Sequence, residues 1–260
     1  MTANAHVQRN QPPGVPPLEL TGERTLPDVP AENYWYRRHL AVYEWIGARV
    51  IGRRVIDMAC GEGYGSEVLS RGAARVVGLD ANPEAYEHAR LRYRRQNLSF
   101  ERGVVETFGE PGAFDAVVFL QTIEHVQDPV AVLEHFRGLL APGGVAYVTT
   151  PNLLTLAPPG ARKSDNPWHI REYRAHEFEA LCRTVFPRVQ MRGLFHARKL
   201  RGHELALRCG WDAVHRRLGL TKPFYDRFTP AISARDFTLR EYGLDGALDF
   251  LAVCLGEKRD

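Results

Sequence analysis

Between residues 54 and 151 short apolar runs alternate with segments of helical period. No other feature constrains the fold of the chain as strongly. Arg54 to Ala59, the run "ARVVGLD" ending at Asp80, "LSFERGVV", "FDAVVFLQ" and "VAYVTTP" read as strands. Tyr64 to Arg71, Pro83 to Gln96 and Pro129 to Leu140 read as helices between them, with Asn82 as an N-cap and Pro83 at the first helical position. Farther on come a helix over Ala175 to Val185, the strand "RVQMRGLF" and a last strand "DFLAVCLG". Regular alternation of this kind implies right-handed crossovers and a mostly parallel sheet covered by helices on both faces. The expectation is an α/β fold with seven strands.

The remainder attaches to that core. Residues 1–17 are polar and proline-rich and read as a disordered tail. From Asn33 to Ile51, Tyr36, Leu40, Tyr43, Ile46 and Val50 recur at helical spacing. We therefore divide one domain, residues 18–260, into a lid with its N-terminal helix (18–52), a core (53–196), an insertion between the last two strands (197–247) and the last strand (248–257). Composition, 44% hydrophobic and 25% charged, suits one sizeable core. A formal net charge of +3 carries no bulk signal for nucleic acid. Cys60, Cys182, Cys209 and Cys254 are scattered, without the paired spacing of a zinc or disulfide framework. No apolar run has the length of a signal peptide core or a membrane span. A cytoplasmic protein without membrane insertion is expected.

The turn after the first strand, "DMACGEGYG", places Gly61, Gly63 and Gly65 where backbone can approach a ligand closely. A dinucleotide fingerprint would want glycine where Ser66 stands, and Glu62 would repel a pyrophosphate. No Gly-Lys-Ser/Thr follows, so the turn is not a P-loop. Acids beside a glycine turn suit a nucleoside with positive rather than negative groups. S-adenosylmethionine, with a sulfonium and an ammonium, is such a molecule. Asp80, at the end of the second strand, can accept both ribose hydroxyls; NAD enzymes use an acid there too, so Asp80 alone does not discriminate. The bland alternative for the loop is a tight strand–helix connection.

At these residues the chain resembles class I S-adenosylmethionine-dependent methyltransferases, over about residues 53–152. Their first motif is matched by Asp57, Gly61 and Gly63, with Ala59 at the first glycine position, where the family uses the backbone carbonyl. Asp80 matches the second motif, with Ala81 beside it. The resemblance implies adenine contacts from Val104 and Val105, where the family usually has an acid, and Gln121 at the cofactor edge after the fourth strand. Its implied fold is Rossmann-like. "LTGERTLP", "ENYWYRRH", "NPWHIREY", "GLFHARKLR" and "LDFLAV" are similar to an actinobacterial methyltransferase group whose mycobacterial members are assigned to methylglucose lipopolysaccharide synthesis.

Methyl transfer to a hydroxyl needs alignment and benefits from a base. His169, in the loop after the fifth strand, and His125, in "TIEHV" after the fourth, are the candidate bases. Each has a duller reading, as a polar loop residue or a turn-packing residue. Trp168, Arg171 and His196 are candidate substrate contacts, although a lone Trp is more often packing. Arg38 is a candidate partner for the methionine carboxylate; otherwise it is a solvated arginine. No convergent carboxylate set suggests a metal. The stretch 192–227 has nine Lys/Arg against three Asp/Glu, which a solvated face, an acidic or phosphorylated substrate, or RNA would each explain. The leading expectation is O-methylation of a carbohydrate hydroxyl on a small-molecule or oligosaccharide acceptor. Small aromatic or lipid-linked acceptors, then RNA, then a non-catalytic cofactor-binding protein, are the alternatives.

Overall fold

A computed structural model describes residues 8, 11–20, 24–158, 160–161 and 163–256. The elements run α1 (Asn33–Gly47), β1 (Arg54–Met58), α2 (Tyr64–Ser70), β2 (Arg75–Asp80), α3 (Pro83–Arg92), β3 (Leu98–Arg102), β4 (Phe114–Phe119), α4 (Pro129–Leu139) and β5 (Leu140–Pro151). They continue with α5 (Leu153–Leu156), α6 (Ala175–Val185), β6 (Arg188–His196), α7 (Arg198–Arg208), α8 (Trp211–Leu218), α9 (Thr221–Phe228), β7 (Phe237–Arg240) and β8 (Asp249–Leu255). Asn82 caps α3 through its side chain, accepting from Ala85 N–H at 2.9 Å.

The strands form one Rossmann-like sheet in the order β3-β2-β1-β4-β5-β8-β6-β7. From β3 to β5 all pairs are parallel; β8 runs antiparallel between β5 and β6. The sheet therefore has eight strands and not the expected seven. The extra one is β7, from inside the insertion, paired antiparallel to β6 from Gly193↔Arg240 to His196↔Phe237. Four residues are too few to display a strand's alternation in sequence.

The strand order reverses between β1 and β4, and a ligand crevice is expected there at the carboxyl ends. Two hydrophobic layers hold that edge in place. On one face Ile56, Met58, Phe119 and Val148 pack under α4 and α6. Phe136 of α4 meets Phe119 edge-on, ring centroids 5.0 Å apart. On the other face Val55, Val76 and Leu251 pack under α1 and α2 with Ile46 and Leu69. Removing a buried ring such as Phe136 would cost about 3–5 kcal/mol.

The segment read from composition as tail makes specific contacts, although Pro12, Pro13, Gly14, Pro16 and Pro17 stay exposed. His88 Nδ1 donates to Pro16 O at 2.7 Å, Arg92 donates to Gln11 at 2.9 Å, and Gln8 donates to Glu62 at 2.8 Å. The apolar anchors Val15 and Leu18 were too few to be heard above the prolines. Residues 1–7, 9 and 10 lie outside the described residues. Among the described residues no helix is long and apolar enough to cross a membrane.

Candidate active site

A cleft of about 340 Å³ opens at the switch point. Ala59, Cys60, Gly61 and Glu62 line it from the turn after β1, Asp80, Ala81 and Asn82 from the end of β2, and Leu120, Gln121, Thr122 and His125 from beyond β4. Of the expected cofactor residues, Ala59, Gly61, Asp80, Ala81 and Gln121 thus meet in one place.

The turn after β1 is built from below. Gly63 has φ 96°, and a Cβ there would stand 2.8 Å from that of Ala89. At Gly65 a Cβ would enter the ring of Tyr43, at 2.1 Å. That space lets Tyr43 donate to Asp57 Oδ1 at 3.2 Å, while Ser66 donates to Asp57 Oδ2 at 2.7 Å. Asp57 is fully buried on the α1/α2 face beneath the turn and outside the cleft lining. Burial pushes its carboxyl up to about 7, against the opposing hydrogen bonds from Ser66 and Tyr43.

Two non-glycine lining residues hold left-handed backbone, Ala59 at φ 56° and Gln121 at φ 52°. Such strain persists where surroundings enforce it, and it concentrates at functional sites. Thr149 enforces it at Gln121, its Oγ1 lying 3.0 Å from both the backbone N and Nε2. Asp80 Oδ2 accepts from Gly61 N–H at 2.7 Å and Oδ1 from Asn82 N–H at 2.9 Å. Each oxygen keeps acceptor capacity toward the cleft. A carboxylate facing a glycine turn fits a nucleoside whose ribose hydroxyls can donate to it.

Glu62 lines the cleft but spends its carboxylate behind it. It accepts from Tyr64 N–H at 3.1 Å and Tyr93 Oη at 2.8 Å, and His88 Nε2 lies 3.1 Å from Oε1. Contrary to expectation, that charge is directed to α3, Tyr93 and the N-terminal segment and not to a ligand. Arg38 departs further from expectation. It is buried, outside the cleft lining, with Nε 2.6 Å from Asp249 Oδ2 and Nη2 2.5 Å from Oδ1. Nη2 also donates to Leu248 O at 2.9 Å. Val104 and Val105 likewise lie outside the lining, in the turn after β3 that Gly103 N–H ties to Asp80 O at 3.2 Å.

The two candidate bases are neighbours, their rings edge-on with centroids 5.1 Å apart. Their surroundings differ. His169 is buried, Nδ1 donating to Glu172 at 2.7 Å and Nε2 accepting from Asn166 Nδ2 at 2.9 Å. Burial alone would raise Glu172, but bonds from Ser164 and His169 hold it below its ordinary value. His125 is half-buried on the cleft, and its Nδ1 donates to Trp168 O at 3.0 Å. Trp168 is 54% exposed, and Arg171 is exposed with its backbone N–H on Glu124 O at 3.1 Å.

Glu124 is buried, with Oε2 lacking a hydrogen-bond partner among the described residues, and burial pushes its carboxyl up to about 8. One ligand atom each from Glu124, His125 and His169 lies within 4.8 Å of the others, so the three could hold a metal ion. The sequence hid this convergence because His169 arrives from a loop after β5. His196 sits away from the cofactor cleft, its Nε2 2.8 Å from Tyr34 Oη. Arg24, Thr25 and His39 also line the cleft and were not foreseen; Thr25 Oγ1 lies 2.8 Å from His39 Nδ1.

A glycine turn and an acid-ended second strand at the switch point of such a sheet define a nucleoside-binding α/β protein. The family described as a methyltransferase domain matches residues 32–205. A probable S-adenosylmethionine-dependent methyltransferase of Mycolicibacterium smegmatis is 36% identical over 249 residues, 92% of this chain and 95% of that one. A ubiquinone biosynthesis O-methyltransferase of Xanthomonas campestris is 37% identical over 115 residues, 42% of this chain and 48% of that one. Among solved structures, a possible histamine N-methyltransferase from Thermotoga maritima superposes with TM-score 0.59 at 15% identity, covering 87% of this chain and 94% of that one; this likeness shows the fold. The chain belongs to the methyltransferase-domain family, and it is an S-adenosylmethionine-dependent methyltransferase.

Proposed function

We propose that the protein methylates a carbohydrate hydroxyl, with His125 as the base. The observation that carries this reading is the hydrogen bond joining His125 to Trp168 O. It ties a candidate proton acceptor on the cofactor cleft to the backbone of Trp168, whose indole is exposed and outside the cleft lining. Sugar rings present apolar C–H faces to such a plane, and Arg171, also exposed, supplies donors for their hydroxyls. The resemblance of its short motifs to an actinobacterial methyltransferase group, whose mycobacterial members are assigned to methylglucose lipopolysaccharide synthesis, is what suggests this class of acceptor.

S-adenosylmethionine supplies a methyl group already activated on sulfur. The chain's own work is then positioning and proton removal. In this reading Asp80 would hold the ribose hydroxyls, the backbone of Ala59 to Gly61 and the Gln121 turn would hold the rest of the cofactor, and Val104 and Val105, outside the cleft lining, would reach the adenine only from the turn after β3. Asp57 keeps the turn in shape from below. His125 Nε2 takes the acceptor proton. His169, with both ring nitrogens engaged, orients the loop that carries Trp168. Arg24 and Thr25 on the cleft wall support a covering role for residues 18–52. Free thiols at all four cysteines support a reducing, cytoplasmic setting.

A second reading is transfer to a phenol or quinol, favoured by the relative named for ubiquinone biosynthesis. Calorimetry separates the two. Trp168→Ala should weaken binding of a glucose oligomer while leaving cofactor affinity unchanged. Equal oligomer affinity in variant and wild type would count against the carbohydrate reading.

A further inference from the structure

A second and larger cleft, about 910 Å³, lies beyond the cofactor site at the carboxyl end of β6. Arg198, Arg201, Arg208 and Arg240 line it, against one carboxylate, Glu204. Glu204 is already matched, with Arg208 Nη2 at 2.9 Å and His196 Nδ1 at 3.4 Å. Arg198 and Arg201 have no ion-pair partner among the described residues. Arg240 lies over the ring of Phe195, 3.8 Å from its centroid, and its Nε is buried without a hydrogen-bond partner among the described residues.

The helix makes the arrangement more costly. Arg198, Lys199 and Arg201 occupy the first turn of α7, which contains no acid, and its N-cap, Ala197, offers no side-chain cap. Cations at the positive end of a helix dipole repel it, and the uncovered N–H groups there favour an anion. Two features therefore ask for the same ligand: the guanidinium groups of Arg198 and Arg201, without an ion-pair partner among the described residues, and the start of the helix that carries them; Lys199 between them is already matched by Asp236 Oδ2 at 3.4 Å.

We propose that this cleft binds an oxyanion, phosphate or carboxylate, carried by the acceptor. β6 lies three strands from β4 in the sheet order, roughly 14 Å at ordinary strand spacing. An anion in this cleft and a hydroxyl at His125 are then too far apart for one monosaccharide, so the acceptor is an oligomer charged at its far end. The proposal rests on the carbohydrate reading for the rest of the acceptor.

The test compares methyl transfer to a neutral glucose trisaccharide, the same trisaccharide oxidised to an aldonate, and its phosphate ester. Wild type and Arg198→Gln/Arg201→Gln are used as full-length protein; both side chains are exposed, and thermal melts confirm folding. At least one charged acceptor should show a KM about tenfold or more below that of the neutral one, as expected for charge-assisted hydrogen bonds. Which charged acceptor gains distinguishes phosphate from carboxylate. The variant should lose that preference while keeping kcat on the neutral sugar, and added salt should erode it. Equal KM values in the wild type, or an unchanged preference in the variant, would overturn the proposal. If no trisaccharide is methylated, the carbohydrate reading fails, and titration with inorganic phosphate decides the cleft separately. Binding lost in the variant upholds the anion site, and no binding to wild type removes it.

Discussion

His125 Nδ1 donates to the carbonyl oxygen of Trp168 across 3.0 Å, joining the turn after β4 to the loop after β5. His125→Ala should lower turnover by about 10²- to 10⁴-fold, the usual contribution of a general base. Calorimetric affinity for the cofactor should hold. His169→Ala should act through loop order, changing acceptor KM as well as kcat. A lone pair bound to a metal cannot take a proton, so activity should survive EDTA. Loss on chelation with recovery in zinc or another transition metal would reassign Glu124, His125 and His169 to metal binding.

Asp80 gives a prediction on the cofactor. Its carboxylate receives Gly61 and Asn82 N–H groups and faces the cleft. Asp80→Ala should lose about 1.5–3 kcal/mol of S-adenosylmethionine binding, the range for hydrogen bonds to a charged group. NAD should give no heat in either protein. An unchanged dissociation constant in the variant would contradict the ribose role.

Arg38 separates a structural role from a ligand role. Truncating one partner of a buried, two-pronged ion pair leaves the other charge stranded. Arg38→Ala should therefore destabilise folding by about 3–5 kcal/mol. Denaturant titration reads that loss, while cofactor affinity of the folded fraction should be near wild type. Retained stability with weakened cofactor binding would restore Arg38 to the methionine carboxylate.

Asp57 predicts a pH dependence of stability. Burial first, with Ser66 and Tyr43 opposing, moves its carboxyl from 3.8 to about 7. Between those values the folded protein holds a proton that the unfolded chain has released. Stability from this group is therefore lost as pH rises through the window, in total on the order of 4 kcal/mol. Unfolding free energies of wild type and Asp57→Asn at roughly pH 5 and pH 8 isolate the effect. Wild type should fall relative to the variant at the higher pH, and a constant difference would contradict it.

Much of the core was legible because strong local signals agreed there. The strands from Arg54 to Pro151, the Asn82 cap and the meeting of Gly61, Asp80 and Gln121 follow from periodicity and turn chemistry. Where long-range partners decide the outcome, the sequence is silent. Asp249 is 211 residues from Arg38 and claims it. Glu62 reads as an exposed loop acid until α3 and Gln8 close over it. His169 outranks His125 on loop position alone, and only Asn166 and Glu172 show that both its nitrogens are engaged. Trp211, His215 and Phe224, in the helices of the insertion, cluster with one another, which a helix pattern does not reveal.

Isotope-labelled methyl transfer, followed across glucose and mannose oligomers, simple phenols and quinols, tests the central claim most directly. The account predicts label on an oligosaccharide as a methyl ether, abolished by His125→Ala and by omission of enzyme. Efficient labelling of phenols or quinols, with none on any glucose or mannose oligomer, would contradict it.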